Sequence, residues 1–167
     1  MNEEALREQL YGQVKNRAMM YWHIFEAIRD EIGEKRAVAV MKKAIYNRGL
    51  SIGKRLASYA PDDFEGLRDA FVQDLHPDGG RMFTPEVIRC DSGGLDIQHH
   101  SCPLKEAYIE AGLSGQDMAL MLEIAAQVDY GTFEGAGFSF KADTWRPGRE
   151  GCCCLHVRSR EKSVHHE

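Results

Sequence analysis

The sequence lacks the features that mark several large classes of protein. None of its apolar runs approaches the ~20 residues that a membrane-spanning helix needs, so we expect no membrane association. It has no basic excess either: 21 lysine and arginine residues stand against 26 acidic ones in 167 residues, for a net charge of −5. Since proteins that bind nucleic acids usually carry a basic patch, this balance argues against a nucleic-acid partner.

The five cysteines do not form the pattern of a disulfide framework. Their number is odd and three of them are consecutive, whereas disulfide-rich domains usually carry an even set of spaced cysteines. The N-terminus, Met1-Asn2-Glu3-Glu4, is acidic and lacks the basic and then apolar regions of a secretory signal. We therefore expect free thiols and a cytoplasmic protein.

The short motifs of several enzyme classes are also missing. The chain has no glycine-rich phosphate loop, no Gly-x-Ser-x-Gly nucleophile turn and no His-Glu-x-x-His zinc motif. No internal repeat or low-complexity segment interrupts it, and its length fits one domain. We expect a single domain over residues 1–160 and a polar tail over residues 161–167.

The N-terminal half has the pattern of helices. Apolar residues recur every three or four positions over residues 6–32, which predicts one long amphipathic helix that ends at Gly33. A second apolar stripe predicts a helix over residues 34–59, and Pro61 followed by two aspartates predicts the start of a third. The apolar surface of the first helix is broad, so it fits either a buried core helix or the interface of a homodimer.

Gly49 and Gly53 lie four residues apart in the second predicted helix. Glycine lowers helix propensity, so two glycines on one helix face need a structural reason. Either another helix packs closely at these positions, or a ligand approaches the backbone there.

The C-terminal half mixes strands with short helices. Residues 82–90 and 95–99 have the pattern of a hairpin, and residues 138–142 and 153–157 that of two further strands. A short helix that starts at Pro103 and a longer apolar helix separate the two pairs. This order predicts an α+β fold, with the long N-terminal helices packed on one face of a small antiparallel sheet.

Cys102 is the first candidate for chemistry. It directly precedes Pro103, and because proline favours the first position of a helix, Cys102 is predicted to cap the helix N-terminus. Free backbone N–H groups and the positive end of the helix dipole stabilise a thiolate there. Such a thiolate beside an imidazole can be a nucleophile with its base, or one of two metal ligands. A buried cysteine that follows two surface histidines would fit the same residues.

His99 and His100 end the strand before Cys102. Side chains alternate along a strand, so only one of the two histidines can face a pocket beside the cysteine. The residues alone do not decide which of them does.

A second cysteine group, Cys152-Cys153-Cys154, lies at the last predicted strand. If Cys153 points inward, it can meet Cys102. If the opposite face is functional, Cys152, Cys154 and His156 form a ligand-like trio suited to zinc or copper. Small cysteines packed in a core strand would also explain the run.

Asp129 is predicted at the C-terminal end of the longer apolar helix. A carboxylate is unfavourable near the negative end of a helix dipole. Asp129 is therefore expected to have a specific partner, such as a histidine, an arginine, a metal or the substrate; an exposed acid in the last turn is the alternative. Glu134 is a second candidate of the same kind.

In their order and spacing these features resemble the L-2-amino-thiazoline-4-carboxylic acid hydrolase family. The matching residues are Cys102-Pro103-Leu104, Ala107, Ala111-Gly112-Leu113, Asp129, Phe138-Ser139-Phe140 and the stretch from Gly151 to Val157. The family looks related to vinyl-reductase-type ligand-binding domains, which implies helices on an antiparallel sheet with a ligand pocket between the layers. Two features depart from the family pattern: residues 123–127 contain no cysteine, and the triple cysteine is unusual.

The resemblance implies hydrolysis of a small carboxylated substrate at a cyclic, amidine-like C–N bond. Opening the ring of 2-aminothiazoline-4-carboxylate needs a nucleophile at C2, a proton for the departing nitrogen and a cation for the carboxylate. Cys102, or a water activated by His100, would attack. Asp129 would orient the histidine or hold the cationic amidine. His99 and Glu134 are expected to bind the substrate.

The same residues are compatible with other functions. Cys153 would complete a metal site with Cys102, which suits a divalent metal such as zinc. A non-catalytic sensor domain could hold a small molecule or a metal in the same pocket, and adjacent cysteines would also serve a thiol redox module. The hydrolase hypothesis requires a small-molecule substrate as the partner.

Overall fold

The computed structural model of the protein describes residues 2–75 and 81–160. The predicted polar tail, residues 161–167, lies outside the described residues. Within them the elements are α1 (Glu3–Ile32), α2 (Glu34–Gly53), a 3-10 helix (Lys54–Tyr59), α3 (Phe64–Leu75), β1 (Pro85–Asp91), β2 (Gly94–His99), α4 (Pro103–Glu110), α5 (Gly115–Ala125), α6 (Gln127–Ala136), β3 (Phe138–Asp143) and β4 (Cys154–Ser159). The predicted α+β class is confirmed.

The two long N-terminal helices form largely as their apolar periodicity predicts. Asn2 caps α1, because its side-chain oxygen accepts the backbone N–H of Ala5 at 2.8 Å. Gly33 has a φ of 82° and separates α1 from α2, as predicted. α2 is shorter than the predicted span, since the chain tightens into the 3-10 helix after Gly53.

The start of α3 differs from the prediction. Pro61 was expected at its first position, but the helix begins at Phe64. The side chain of Asp63 accepts the backbone N–H of Gly66 at 2.9 Å, which satisfies a donor that the first helical turn leaves unpaired. The capping aspartate, rather than the proline, therefore marks this helix start.

The four strands form one antiparallel sheet in the order β1-β2-β4-β3. Side chains alternate between its faces. Leu95 and Ile97 in β2 and Leu155 and Val157 in β4 are buried beneath the helices. The opposite face is polar, so the helices cover one face only, as predicted.

Glycines bring α2 and α6 into backbone contact. A Cβ atom built on Gly49 would overlap the carbonyl oxygen of Val128 and lie 2.8 Å from the Cα of Gly131. One on Gly53 would overlap the carbonyl oxygen of Thr132. The spaced glycines of α2 therefore serve a close helix crossing, which is the first of the two alternatives that the sequence left open.

The predicted apolar helix that ends at Asp129 is in fact two helices, α5 and α6, that meet at Ala126. The backbone N–H of Asp129 donates to the carbonyl oxygen of Ala126 at 3.0 Å. Asp129 thus lies in the first turn of α6 instead of the last turn of a longer helix. The predicted unfavourable interaction between the Asp129 carboxylate and the helix dipole is therefore wrong, because the N-terminal end of α6 favours a carboxylate.

Two groups of buried side chains make up the core. One joins α1, α2, α4 and α5, and the other joins the sheet to α3, α6 and the 3-10 helix. Cys153 packs against both groups. Within the described residues, no helix is both long enough and apolar enough to cross a membrane.

Candidate active site

A cavity of about 190 Å³ lies where the helices meet the end of the β2–β4 pair. Its walls are mostly apolar, but six of the lining side chains can carry charge or react: Arg17, His99, Cys102, Asp129, Cys152 and Cys153. A larger and more open groove along α1 has no cysteine or histidine among its described lining residues. The smaller cavity is therefore the candidate site.

Cys102 is the N-cap of α4, with Pro103 at the first helical position, as predicted. The thiol of Cys152 lies within hydrogen-bonding reach of its sulfur and lowers the pKa of Cys102. The backbone N–H groups of Lys105 and Leu104 act in the same direction, although Cys102 makes no conventional capping hydrogen bond. Together these donors outweigh burial, which alone would raise the pKa of a thiol.

Cys152 is held in place by the backbone next to β2. Its N–H donates to the carbonyl oxygen of His99 at 3.0 Å, and the N–H of His99 donates to the carbonyl oxygen of Cys153 at 2.9 Å. Its sulfur lies 3.3 Å from that of Cys153. The neighbouring sulfurs of Cys102 and Cys153 raise the pKa of Cys152, whereas that of Cys102 is lowered, so Cys102 ionises more readily than Cys152.

Asp129 contributes the one carboxyl group that lines the cavity among the described residues. Burial raises the pKa of Asp129 from its ordinary 3.8 to about 7, and the charge of Arg17 opposes this effect only in part. No hydrogen bond from a described residue holds its carboxylate in the ionised form. Asp129 can therefore give or accept a proton near neutral pH.

The L-2-amino-thiazoline-4-carboxylic acid hydrolase family model matches residues 13–156, which include every lining residue of the cavity. The chain belongs to this family. No curated protein matches it.

In this hydrolase family member the two neighbouring histidines point in different directions. His99 is buried, lines the cavity and packs its ring against Phe83, with 5.3 Å between the ring centroids. His100 is exposed, and its Nε2 lies 2.6 Å from the carboxylate of Glu86. Strand alternation predicted that one histidine would face the site, and the structure places His99, rather than the predicted catalytic His100, at the cavity.

Glu134 also lies outside the cavity. Its carboxylate accepts a hydrogen bond from the hydroxyl of Tyr46 at 2.7 Å, a contact between α6 and α2. The sequence suggested that Glu134 binds the substrate, but the structure does not place it among the residues that line the cavity.

The predicted metal site finds little support in the geometry. Cys102 and Cys153 line the same cavity, yet the described residues contain no group of three or more histidine, cysteine or acidic side chains arranged to hold a metal ion. The alternative trio with His156 does not assemble, because His156 lies between the carboxylates of Asp96 and Asp143 at 2.9 and 3.1 Å. All five cysteines are free thiols.

The sequence did not predict that Cys152 contacts Cys102 or that Arg17 lines the cavity. Cys152, rather than Cys153, is the neighbour of Cys102, because β4 begins only at Cys154 and the two preceding residues turn toward the cavity. A cation was expected for the substrate carboxylate, but the sequence did not single out Arg17. A signal was present, since Arg17 occupies a stripe position three residues after Val14 and four before Tyr21.

Proposed function

We propose that this chain is a cysteine-dependent hydrolase that opens the ring of L-2-amino-thiazoline-4-carboxylate, or a close analogue, at a C–N bond. The observation that carries the proposal is a pair of groups in one cavity. Cys102 has a lowered pKa, and Asp129 has a pKa of about 7. A nucleophile and a proton carrier are what ring opening at an amidine carbon requires.

The size of the cavity supports a small substrate. Pockets for drug-sized ligands usually occupy roughly 300–1,000 Å³. The cavity here is about 190 Å³, which suits a single substituted five-membered ring. Its mostly apolar walls favour a compact ring, and its few polar groups would orient that ring.

In the first step the Cys102 thiolate attacks C2 of the ring. An S–C bond forms, and the electron pair of the C–N double bond moves onto the ring nitrogen. Asp129 in its acid form then protonates that nitrogen, which departs as the C–N bond breaks. The lone pair of the exocyclic nitrogen re-forms a C=N bond, and that nitrogen passes one proton to the departing nitrogen, which becomes a free amine. This leaves a carboxylate on Asp129 and a thioimidate on Cys102, in which C2 also keeps the substrate sulfur.

In the second step water hydrolyses the thioimidate. The Asp129 carboxylate takes one proton from the attacking water, and the other passes from the new hydroxyl to the imino nitrogen. The C–S bond to Cys102 then breaks, and Cys102 departs as a thiolate with the bonding electron pair. The donors around its sulfur make that thiolate a good leaving group. The product carries a carbamoyl group on the sulfur of the opened ring, and the net reaction consumes one water.

The test is turnover of L-2-amino-thiazoline-4-carboxylate by the purified full chain, followed by mass spectrometry. Cys102→Ala should abolish turnover and Asp129→Ala should reduce it strongly. Cys90→Ala serves as the matched control, because Cys90 lies on β1 away from the cavity. Turnover that survives in both site variants would overturn the assignment. Binding of the substrate without turnover would favour a sensor domain instead.

A further inference from the structure

The cavity contains two opposite charges that are not paired with each other. Arg17 is the only arginine or lysine among its described lining residues, and Asp129 is the only acid. Arg17 forms no hydrogen bond or ion pair with any described residue. Its charge nevertheless reaches Asp129, because it opposes the rise of the aspartate pKa. The two groups therefore share the cavity without neutralising each other.

Polar contacts with α4 hold in place the helix that carries Arg17, α1. The hydroxyl of Tyr11 donates to Glu106 at 2.6 Å, and the ammonium of Lys15 donates to Glu110 at 2.6 Å. Both partners belong to α4, the helix that Cys102 caps. Arg17 follows on the same helix, and it lines the cavity that Cys102 also lines.

The charge of Arg17 also acts on Tyr108. Its ring is fully buried, and its hydroxyl has no hydrogen-bond partner among the described residues. Burial and the charge on Cys102 raise the pKa of Tyr108, whereas Arg17 lowers it. The charge of Arg17 thus lowers the pKa of both Asp129 and Tyr108.

We propose that Arg17 binds the carboxylate of the substrate, and that Arg17 and Asp129 together select small zwitterions with an amidinium at one end and a carboxylate at the other. The planar guanidinium fork matches a carboxylate in a bidentate geometry. The amidinium pairs with the carboxylate form of Asp129, and transfer of one amidinium proton to that carboxylate gives the neutral ring and the acid form of Asp129 from which ring opening starts. This inference rests on the proposed function for its substrate. It adds Arg17 as the residue that distinguishes rings with a carboxylate from rings without one.

The experiment compares two substrates, L-2-amino-thiazoline-4-carboxylate and 2-aminothiazoline, which lacks the carboxylate. Arg17→Met keeps the length and the apolar stem of the side chain but removes the charge. We expect KM for the carboxylated ring to rise about tenfold or more, which is the usual loss when a charged hydrogen bond is deleted. kcat should change much less, and kcat/KM for 2-aminothiazoline should fall far less than kcat/KM for the carboxylated ring, because 2-aminothiazoline offers Arg17 no carboxylate.

Two further variants sharpen the comparison. Arg17→Lys keeps the charge without the fork and should recover part of the preference for the carboxylate. Arg36→Met removes an exposed arginine of α2 that does not line the cavity, and should leave both substrates unaffected. Binding of the carboxylated ring to the Cys102→Ala chain, with and without Arg17→Met, reports recognition separately from catalysis.

The outcomes separate this inference from the proposed function. If Arg17→Met affects both substrates equally or neither, Arg17 does not select the carboxylate, while turnover by the wild type still supports the hydrolase. If the carboxylated ring binds in an Arg17-dependent way without turnover, recognition is upheld and the catalytic proposal fails. If the wild type neither binds nor converts it, both are overturned.

Discussion

The thiol of Cys152 lies against the sulfur of Cys102, although the two residues are far apart in the sequence. This contact, more than the helix N-terminus, lowers the pKa of Cys102. The backbone hydrogen bond from Cys152 to the carbonyl of His99 keeps it in place. The nucleophile thus depends on a residue that packs beside it from another part of the chain.

Cys152→Ala should make Cys102 less reactive at neutral pH. Loss of the thiol donor raises the pKa of Cys102 toward its ordinary value, so a smaller fraction is thiolate. Alkylation by iodoacetamide, with the modified peptide identified by mass spectrometry, should slow severalfold near neutral pH. Cys90→Ala should leave the rate unchanged, and equal rates in the wild type and Cys152→Ala would show that Cys152 is no such donor.

The pH profile of kcat/KM should be bell-shaped, with a descending limb that depends on Asp129. Cys102 must be ionised, so activity falls on the acidic side of its lowered pKa. Asp129 must be protonated to release the ring nitrogen, so activity falls as pH rises through its pKa of about 7. Asp129→Asn should lower the rate by about 10²–10⁴-fold and remove the descending limb. A descending limb that persists in this variant would assign it to another group.

Asp129→Asn should also stabilise the fold above neutral pH. The pKa of Asp129 is raised on folding from 3.8 to about 7, so the folded state gains from protonated Asp129 at low pH. That gain is lost as pH rises from about 4 to about 7. Asparagine does not ionise, so the variant should be more stable than the wild type by about 2–4 kcal/mol above pH 7 and nearly equal to it near pH 4. Urea unfolding at several pH values measures the difference, and a constant difference would contradict the raised pKa.

Gly49→Ala should destabilise the protein by about 3 kcal/mol or more, because the new methyl group would meet backbone atoms of α6 on two sides. The carbonyl it overlaps belongs to Val128, the neighbour of Asp129, so the folded fraction should lose activity as well. Gly12→Ala is the matched control. A Cβ at Gly12 meets nothing within 4 Å, so this change should stabilise α1 by about 0.5–1 kcal/mol. Thermal or urea unfolding distinguishes the two.

Local patterns predicted the elements that carry the nucleophile. The hairpin of β1 and β2, the helix start at Cys102 and the N-cap at Ser114 all follow from turn and cap residues that act over a few positions. The break at Ala126 did not, because apolar residues continue through it and no glycine or proline marks it. The prediction that Asp129 lies at the end of a longer helix was therefore wrong, although the sequence did single out the residue itself.

The sequence by itself determined the α+β class, the family resemblance and a cysteine at a helix N-terminus, since each depends on periodicity, capping or the order of short motifs. Only the tertiary structure decided which histidine faces the cavity, and that Cys152 and Arg17 join Cys102 and Asp129 there. These neighbours come from α1, α6 and the segment before β4, and they meet because glycines let α2 and α6 touch and because α1 packs on α4. Contacts of that kind depend on packing between distant segments, which no local pattern encodes.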